Sequence, residues 1–164
     1  MKKLFIILSV MCLMSGVAMG QTAKYRGDVE LNAGLMAGPD YLLDVTSSHG
    51  ILFNKHLFVG LGTGLGVRSI FDEYASCVYI PFFLDVNYTF DKFSGIRPFI
   101  GGRAGTSIIA FDMMKKQSSV YAGLQFRNKM FFQIRTSWQP FDIDDYEDPY
   151  SGSQSFDVGF GYRF

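Results

Sequence analysis

From His56 to Val67 the chain reads HLFVGLGTGLGV, and its residues alternate in chemical class. Leu57, Val59, Leu61, Leu65 and Val67 fall on one face of an extended strand, and Phe58, Gly60, Gly62, Gly64 and Gly66 on the other. A period of two predicts β-structure and excludes an amphipathic helix, whose apolar residues recur three and four apart. Glycine weakens a strand unless a backbone or a bulky side chain must come close. The glycine face therefore predicts a narrow interior crowded by long residues from neighbouring strands.

The same alternation recurs in Tyr25–Met36, Tyr41–Phe53, Cys77–Phe90, Arg97–Ile109, Val120–Arg127, Met130–Trp138 and Phe156–Phe164, giving eight segments in all. In each, an apolar face opposes a polar or small one. Val29, Leu31 and Leu35 oppose Asp28, Glu30 and Asn32. Leu43, Val45 and Ile51 oppose Asp44, Thr46 and Ser48, and Ile80 to Phe90 oppose Phe83, Asp85 and Asn87. In the fifth segment Arg103 sets the phase, because a guanidinium facing hydrocarbon at mid-membrane costs about 2–4 kcal/mol. It turns inward with Gly101 and Gly105. Tyr121, Gly123 and Arg127, then Gln133, Arg135 and Ser137, then Asp157 and Arg163 complete the polar face.

Short turns at 53–56, 91–96 and 127–129 alternate with longer polar stretches at 68–76, 110–119 and 139–155; the connection at 37–40 is brief. In hydrocarbon every backbone N–H and C=O needs an internal partner, which only helices and closed sheets supply. The expected fold is all-β: an eight-stranded antiparallel transmembrane up-and-down β-barrel, with strand eight closing on strand one. A lipocalin-like soluble barrel would put the charged, glycine-rich face in water, where so much glycine has no purpose. Asp28, Glu30, Asp44, Asp85, Arg103, Arg135, Asp157 and Arg163 are expected to pair in the lumen, filling it.

The first twenty residues carry Lys2 and Lys3, an apolar run from Leu4 to Leu13, and the small-residue close Ala18-Met19-Gly20. That order predicts a cleaved signal peptide, residues 1–20, ahead of a barrel domain, residues 21–164. Without it 13 basic residues face 15 acidic ones, a net of −2, which gives no basis for binding nucleic acid. Cys12 lacks the small residues that lipidation requires before it. Cys77 then stands alone, with no disulfide partner and no metal cluster.

At the end of the sequence, Asp157, Gly159, Tyr162 and Phe164 fit a pattern of a polar residue, a glycine two later, and apolar residues at the third-last and last places. This resembles the C-terminal insertion signal of outer-membrane proteins. The resemblance implies recognition by the barrel-assembly machinery. The whole mature chain is similar to the small outer-membrane β-barrel proteins of Bacteroidetes-type bacteria, often labelled porin-like.

The function expected is that of a monomeric barrel in the cell outer membrane, in contact with outer-membrane lipid, with a structural or surface-interaction role through its external loops. The segment 139–155 holds Asp142, Asp144, Asp145, Glu147 and Asp148 and offers a site for an external ligand, although its spacing is not that of a calcium loop. A narrow channel for ions or small solutes is the alternative, its path along the glycine track. An enzyme acting on lipid or lipopolysaccharide would need a nucleophile, a base and an orienting group. Only His49 and His56 are histidine bases. His56 falls in a turn, and His49 points outward near Ser47 and Ser48, with adjacent strand residues on opposite faces and no acid beside it. No catalytic residue, cofactor or metal is therefore expected, and no enzymatic activity.

Overall fold

The computed structural model describes residues 23–36, 41–70, 75–91, 93, 95–109, 113–138 and 154–164. The expected signal peptide lies outside them. The described residues form β1 (Ala23–Met36), β2 (Tyr41–Phe53), β3 (Leu57–Ile70), β4 (Ala75–Thr89), β5 (Arg97–Ile109), β6 (Met113–Gln125), β7 (Met130–Trp138) and β8 (Gln154–Arg163). Each strand pairs antiparallel with its neighbour in sequence, and β1 also pairs with β8, so the sheet is a closed barrel. The closing ladder runs from Asp28 opposite Arg163 to Met36 opposite Ser155. Closure leaves no strand edge unpaired.

Alternation sorts the side chains in a sense opposite to that of a soluble protein. Leu61 on the outer wall is 70% exposed, while Asp85 inside is fully buried. Leu31, Leu43, Leu65, Ile100 and Phe160 likewise project outward. A barrel in water would invert this arrangement, because exposed leucine and buried carboxylate are both unfavourable there. The apolar wall needs hydrocarbon around it, and the soluble lipocalin-like alternative is excluded.

Three strand limits differ from the sequence reading, for one reason. β6 starts at Met113 rather than Val120, and β3 and β4 reach Ile70 and Ala75 rather than stopping at Val67 and Cys77. Arg68 pairs with Cys77, and Thr106 with Lys116. About 9–11 tilted residues cross a bilayer core, whereas β4 holds 15. The ladder continues past the membrane, where the outer face meets water and apolar alternation ceases, as at the exposed Lys116. Polarity there marks the exit from lipid, not the end of a strand. Of the connections at this end, only 139–153 is long.

At the opposite end the turns are tight. Asn54 and Lys55 both have positive φ, 50° and 66°, the backbone a two-residue hairpin needs to match the strand twist. The His56 amide donates to the Phe53 carbonyl at 3.0 Å. Arg127, expected in the lumen, is instead exposed in the β6–β7 turn.

Candidate functional site

Two places on the barrel gather polar chemistry: the lumen, and a patch on the outer wall where β1 meets β2.

In the lumen, large aromatic side chains lie against wall glycines. The rings of Phe83, Tyr79, Tyr121, Phe99 and Phe131 would meet a Cβ placed at Gly62, Gly66, Gly101, Gly123 and Gly161 respectively, and Phe58 lies against Gly60 of its own strand. All six aromatics are buried. The glycine track is thus the imprint of rings that need the space a Cβ would take.

Guanidiniums lie over several of these rings. Arg26 sits 4.3 Å from the Phe58 centroid, Arg103 4.6 Å from Phe83, and Arg163 4.1 Å from Phe99 and 4.8 Å from Phe131. Contacts of this kind strengthen when both groups are removed from water.

The charges form linked groups along the barrel axis. Nearest the tight turns, Arg26 Nε donates to Asp28 at 2.9 Å. Arg163 Nε lies 3.3 Å from the other Asp28 oxygen, and Arg163 NH1 donates to Gln125 at 2.8 Å. In the middle, Arg103 donates to Glu30, and its Nε donates to Asp85 at 3.1 Å. Glu30 accepts further bonds from Thr46 at 2.7 Å and Gln133 at 3.0 Å. Asp85 accepts from Tyr121 and from Ser48 at 2.9 Å. Above them, Arg135 donates to Asp44 at 2.7 Å and to Asp157 at 2.9 Å, and Tyr79 donates to Asp44 at 2.9 Å. The eight lumen residues named from the sequence are all buried and all lie in these groups.

Sequence reading passed over Arg26, Phe99 and Phe131. Each was available by phase: Arg26 is two residues before Asp28, Phe99 four before Arg103, and Phe131 two before Gln133. Among the buried charged residues described, five arginines (Arg68 included) balance five acids. A cavity of about 60 Å³ lies toward the far end, lined by Asp44, Arg68, Tyr79 and Gln117 among others. That is room for about two waters. Among the described residues no group of three or more His, Cys, Asp or Glu side chains is arranged to hold a metal ion.

On the outer wall, Ser47 and His49 are two apart on β2 and share a face. Ser47 Oγ lies 3.0 Å from His49 Nε2, and Tyr25 Oη lies 2.6 Å from His49 Nδ1. Ser48, between them, points inward to Asp85. Phe164 is fixed beside this patch. Its backbone exchanges hydrogen bonds with Gly27 at 2.9 and 3.0 Å, its ring lies over Gly27, and it meets the His49 ring edge-on at 6.0 Å. Of the insertion-signal residues, Tyr162 and Phe164 face outward, and Asp157 and Gly159 inward.

A closed eight-stranded antiparallel barrel with an apolar outer wall defines an integral outer-membrane β-barrel protein, seated in the cell outer membrane. Solved structures agree on the fold. The chain is similar to the outer-membrane enzyme PagL, with a TM-score of 0.66 and 18% identity over 82% of this chain and 98% of that one. It is also similar to Neisserial surface protein A, with a TM-score of 0.57 and 10% identity over 87% and 97% of the two chains. A de novo designed transmembrane β-barrel matches with a TM-score of 0.56 and 12% identity over 85% and 95%. No protein-family model matches the sequence, and no curated protein matches it.

The expectation of no enzymatic activity does not stand. PagL, a barrel of this architecture, is an outer-membrane enzyme. Geometry also removes one part of the argument against a catalytic group, because Ser47 and His49 share a face and lie within hydrogen-bond distance, while among the described residues the ring is held by Tyr25 and Ser47 and by no acid.

Proposed function

We propose that the chain is a monomeric outer-membrane barrel whose lumen is filled by its own side chains, and that it acts as a surface scaffold through the connections at its long-loop end. The observation that carries this reading is the middle charge group. Glu30, Asp85 and Arg103 bridge the interior with aromatic rings on both sides, at a barrel width that side chains just fill. The segment 139–155 is the natural place for an external ligand, with its five acids between Asp142 and Asp148. Most of that segment, 139–153, lies outside the described residues.

In this reading the tight turns face the periplasm, and the pattern Asp157, Gly159, Tyr162 and Phe164 is read by the barrel-assembly machinery. The protein then takes its place beside the porin-like small barrels of Bacteroidetes-type bacteria without conducting as a porin does. Conductance of the refolded mature chain in planar bilayers tests this, with folding checked by heat-dependent gel mobility. Folded protein should give no channels. Reproducible channels would replace this reading with that of a narrow pore.

A further inference from the structure

The outer wall of a membrane barrel has little reason to carry a hydrogen-bonded polar cluster, since such groups are costly against lipid and tend to mark function. The Tyr25, Ser47 and His49 cluster stands on that wall. His49 is held from three sides. Its Nε2 meets Ser47 Oγ at 3.0 Å, its Nδ1 meets Tyr25 Oη at 2.6 Å, and its ring stacks on Tyr25 at 6.2 Å with Phe164 edge-on at 6.0 Å. Ser47 is half-buried and His49 exposed, so both are open to a molecule lying against the wall. At rest Ser47 Oγ–H donates to the Asp28 carbonyl at 3.1 Å across the β1–β2 seam, so the hydroxyl turns from that carbonyl to His49 Nε2 before it gives up its proton.

The depth of the cluster identifies what lies against it. His49 stacks on Tyr25, meets Phe164 edge-on, and lies four residues from the tight-turn end of β2. The cluster is therefore in the belt of Tyr25, Tyr162 and Phe164 near the tight-turn end, where aromatic side chains mark the boundary between lipid head groups and acyl chains. The ester carbonyls of membrane lipids occupy that boundary.

We infer that Ser47 and His49 form a hydrolytic site that cleaves acyl esters of membrane lipids, with Tyr25 as a positioning residue. Ser47 Oγ attacks the ester carbonyl carbon as its proton passes to His49 Nε2. Nδ1–H donates to Tyr25 Oη, which holds the ring in the tautomer that leaves Nε2 free to accept. The bond from carbon to the lipid alkoxide breaks, and Nε2 returns the proton to that oxygen. Water from the interface then attacks the acyl-serine with His49 again as base, releasing a fatty acid and restoring the serine hydroxyl.

The test uses the mature chain refolded into two sets of vesicles, one of phosphatidylethanolamine and phosphatidylglycerol and one containing lipid A, with released fatty acid read by mass spectrometry. The wild type should release fatty acid from the phospholipid set, because the tight-turn end meets the periplasmic leaflet; release from the lipid A set alone overturns the inference. Ser47→Ala and His49→Ala should lower the rate by on the order of 100-fold or more. Tyr25→Phe should lower kcat with KM unchanged. Thr106→Ala, another wall hydroxyl, should leave the rate as it is. A fluorophosphonate should label folded wild type at Ser47 and fail to label heat-unfolded protein, a readout independent of whether the variants fold. Folded wild type that releases no fatty acid from either set overturns the inference. So does a folded Ser47→Ala variant that keeps its rate.

Discussion

Arg103 on β5 and Glu30 on β1 stand on opposite walls of the barrel, and the guanidinium donates to the carboxylate across the lumen. The same guanidinium binds Asp85 on the adjacent strand through Nε at 3.1 Å. One cation therefore ties together three strands that are not all neighbours. Arg103→Met leaves two buried carboxylates without their main partner, and should lower folding stability by about 3–5 kcal/mol. Adding Glu30→Gln and Asp85→Asn to it removes the orphaned charges, so the triple variant should lose less than Arg103→Met alone. Denaturant midpoints in lipid vesicles give the comparison.

Gly62 and Phe83 make the opposite kind of contact, a space and its filler. The two nearest atoms to a Cβ built at Gly62 belong to the Phe83 ring. Gly62→Ala should displace that ring and cost about 1–3 kcal/mol. Phe83→Ala alone, which empties the space, should cost about 3–5 kcal/mol. Together they should cost less than the sum, because the overlap disappears with the ring. Additive losses would mean that the ring does not set the need for glycine at 62.

These two contacts show what the sequence made legible. The strand phases could be read, because one face of each strand meets hydrocarbon and the other does not, and so Asp85, Arg103 and Glu30 were assigned to the lumen. The partners were not legible: alternation says which way a residue points, and only the register of closure says that Arg103 reaches Glu30. The ends of β3, β4 and β6 were misread because beyond the membrane both faces are wet. Ser47 and His49 were set aside by attending to Ser48, the immediate neighbour, when the period of two makes the residue two away the companion.

Leu61 tests the lipid-facing wall itself. It is 70% exposed, four residues into β3 and opposite His49 of β2, so Leu61→Arg should cost about 1–2 kcal/mol in a bilayer, between the interfacial and midplane values. Phe93, 78% exposed in the β4–β5 connection, lies past the strand end, and Phe93→Arg should cost about 0–1 kcal/mol. Folding titrations in vesicles measure both. Equal costs would mean that the two positions share one environment and that the wall is not in hydrocarbon at Leu61.

The balance of buried charge gives a prediction with a sign. Removing Arg103 and Glu30 together, as Ala, opens space at the middle of the lumen while leaving that balance unchanged. The double variant should conduct where the wild type does not, with little preference between potassium and chloride. Arg103→Ala alone leaves one uncompensated negative charge beside the opening, and a narrow low-dielectric path amplifies its field. That variant should prefer cations, and Glu30→Ala, with one uncompensated positive charge, should prefer anions. Reversal potentials under a potassium chloride gradient distinguish the three. If the single variants conduct with the same selectivity, the ions travel by a route that does not pass between Arg103 and Glu30.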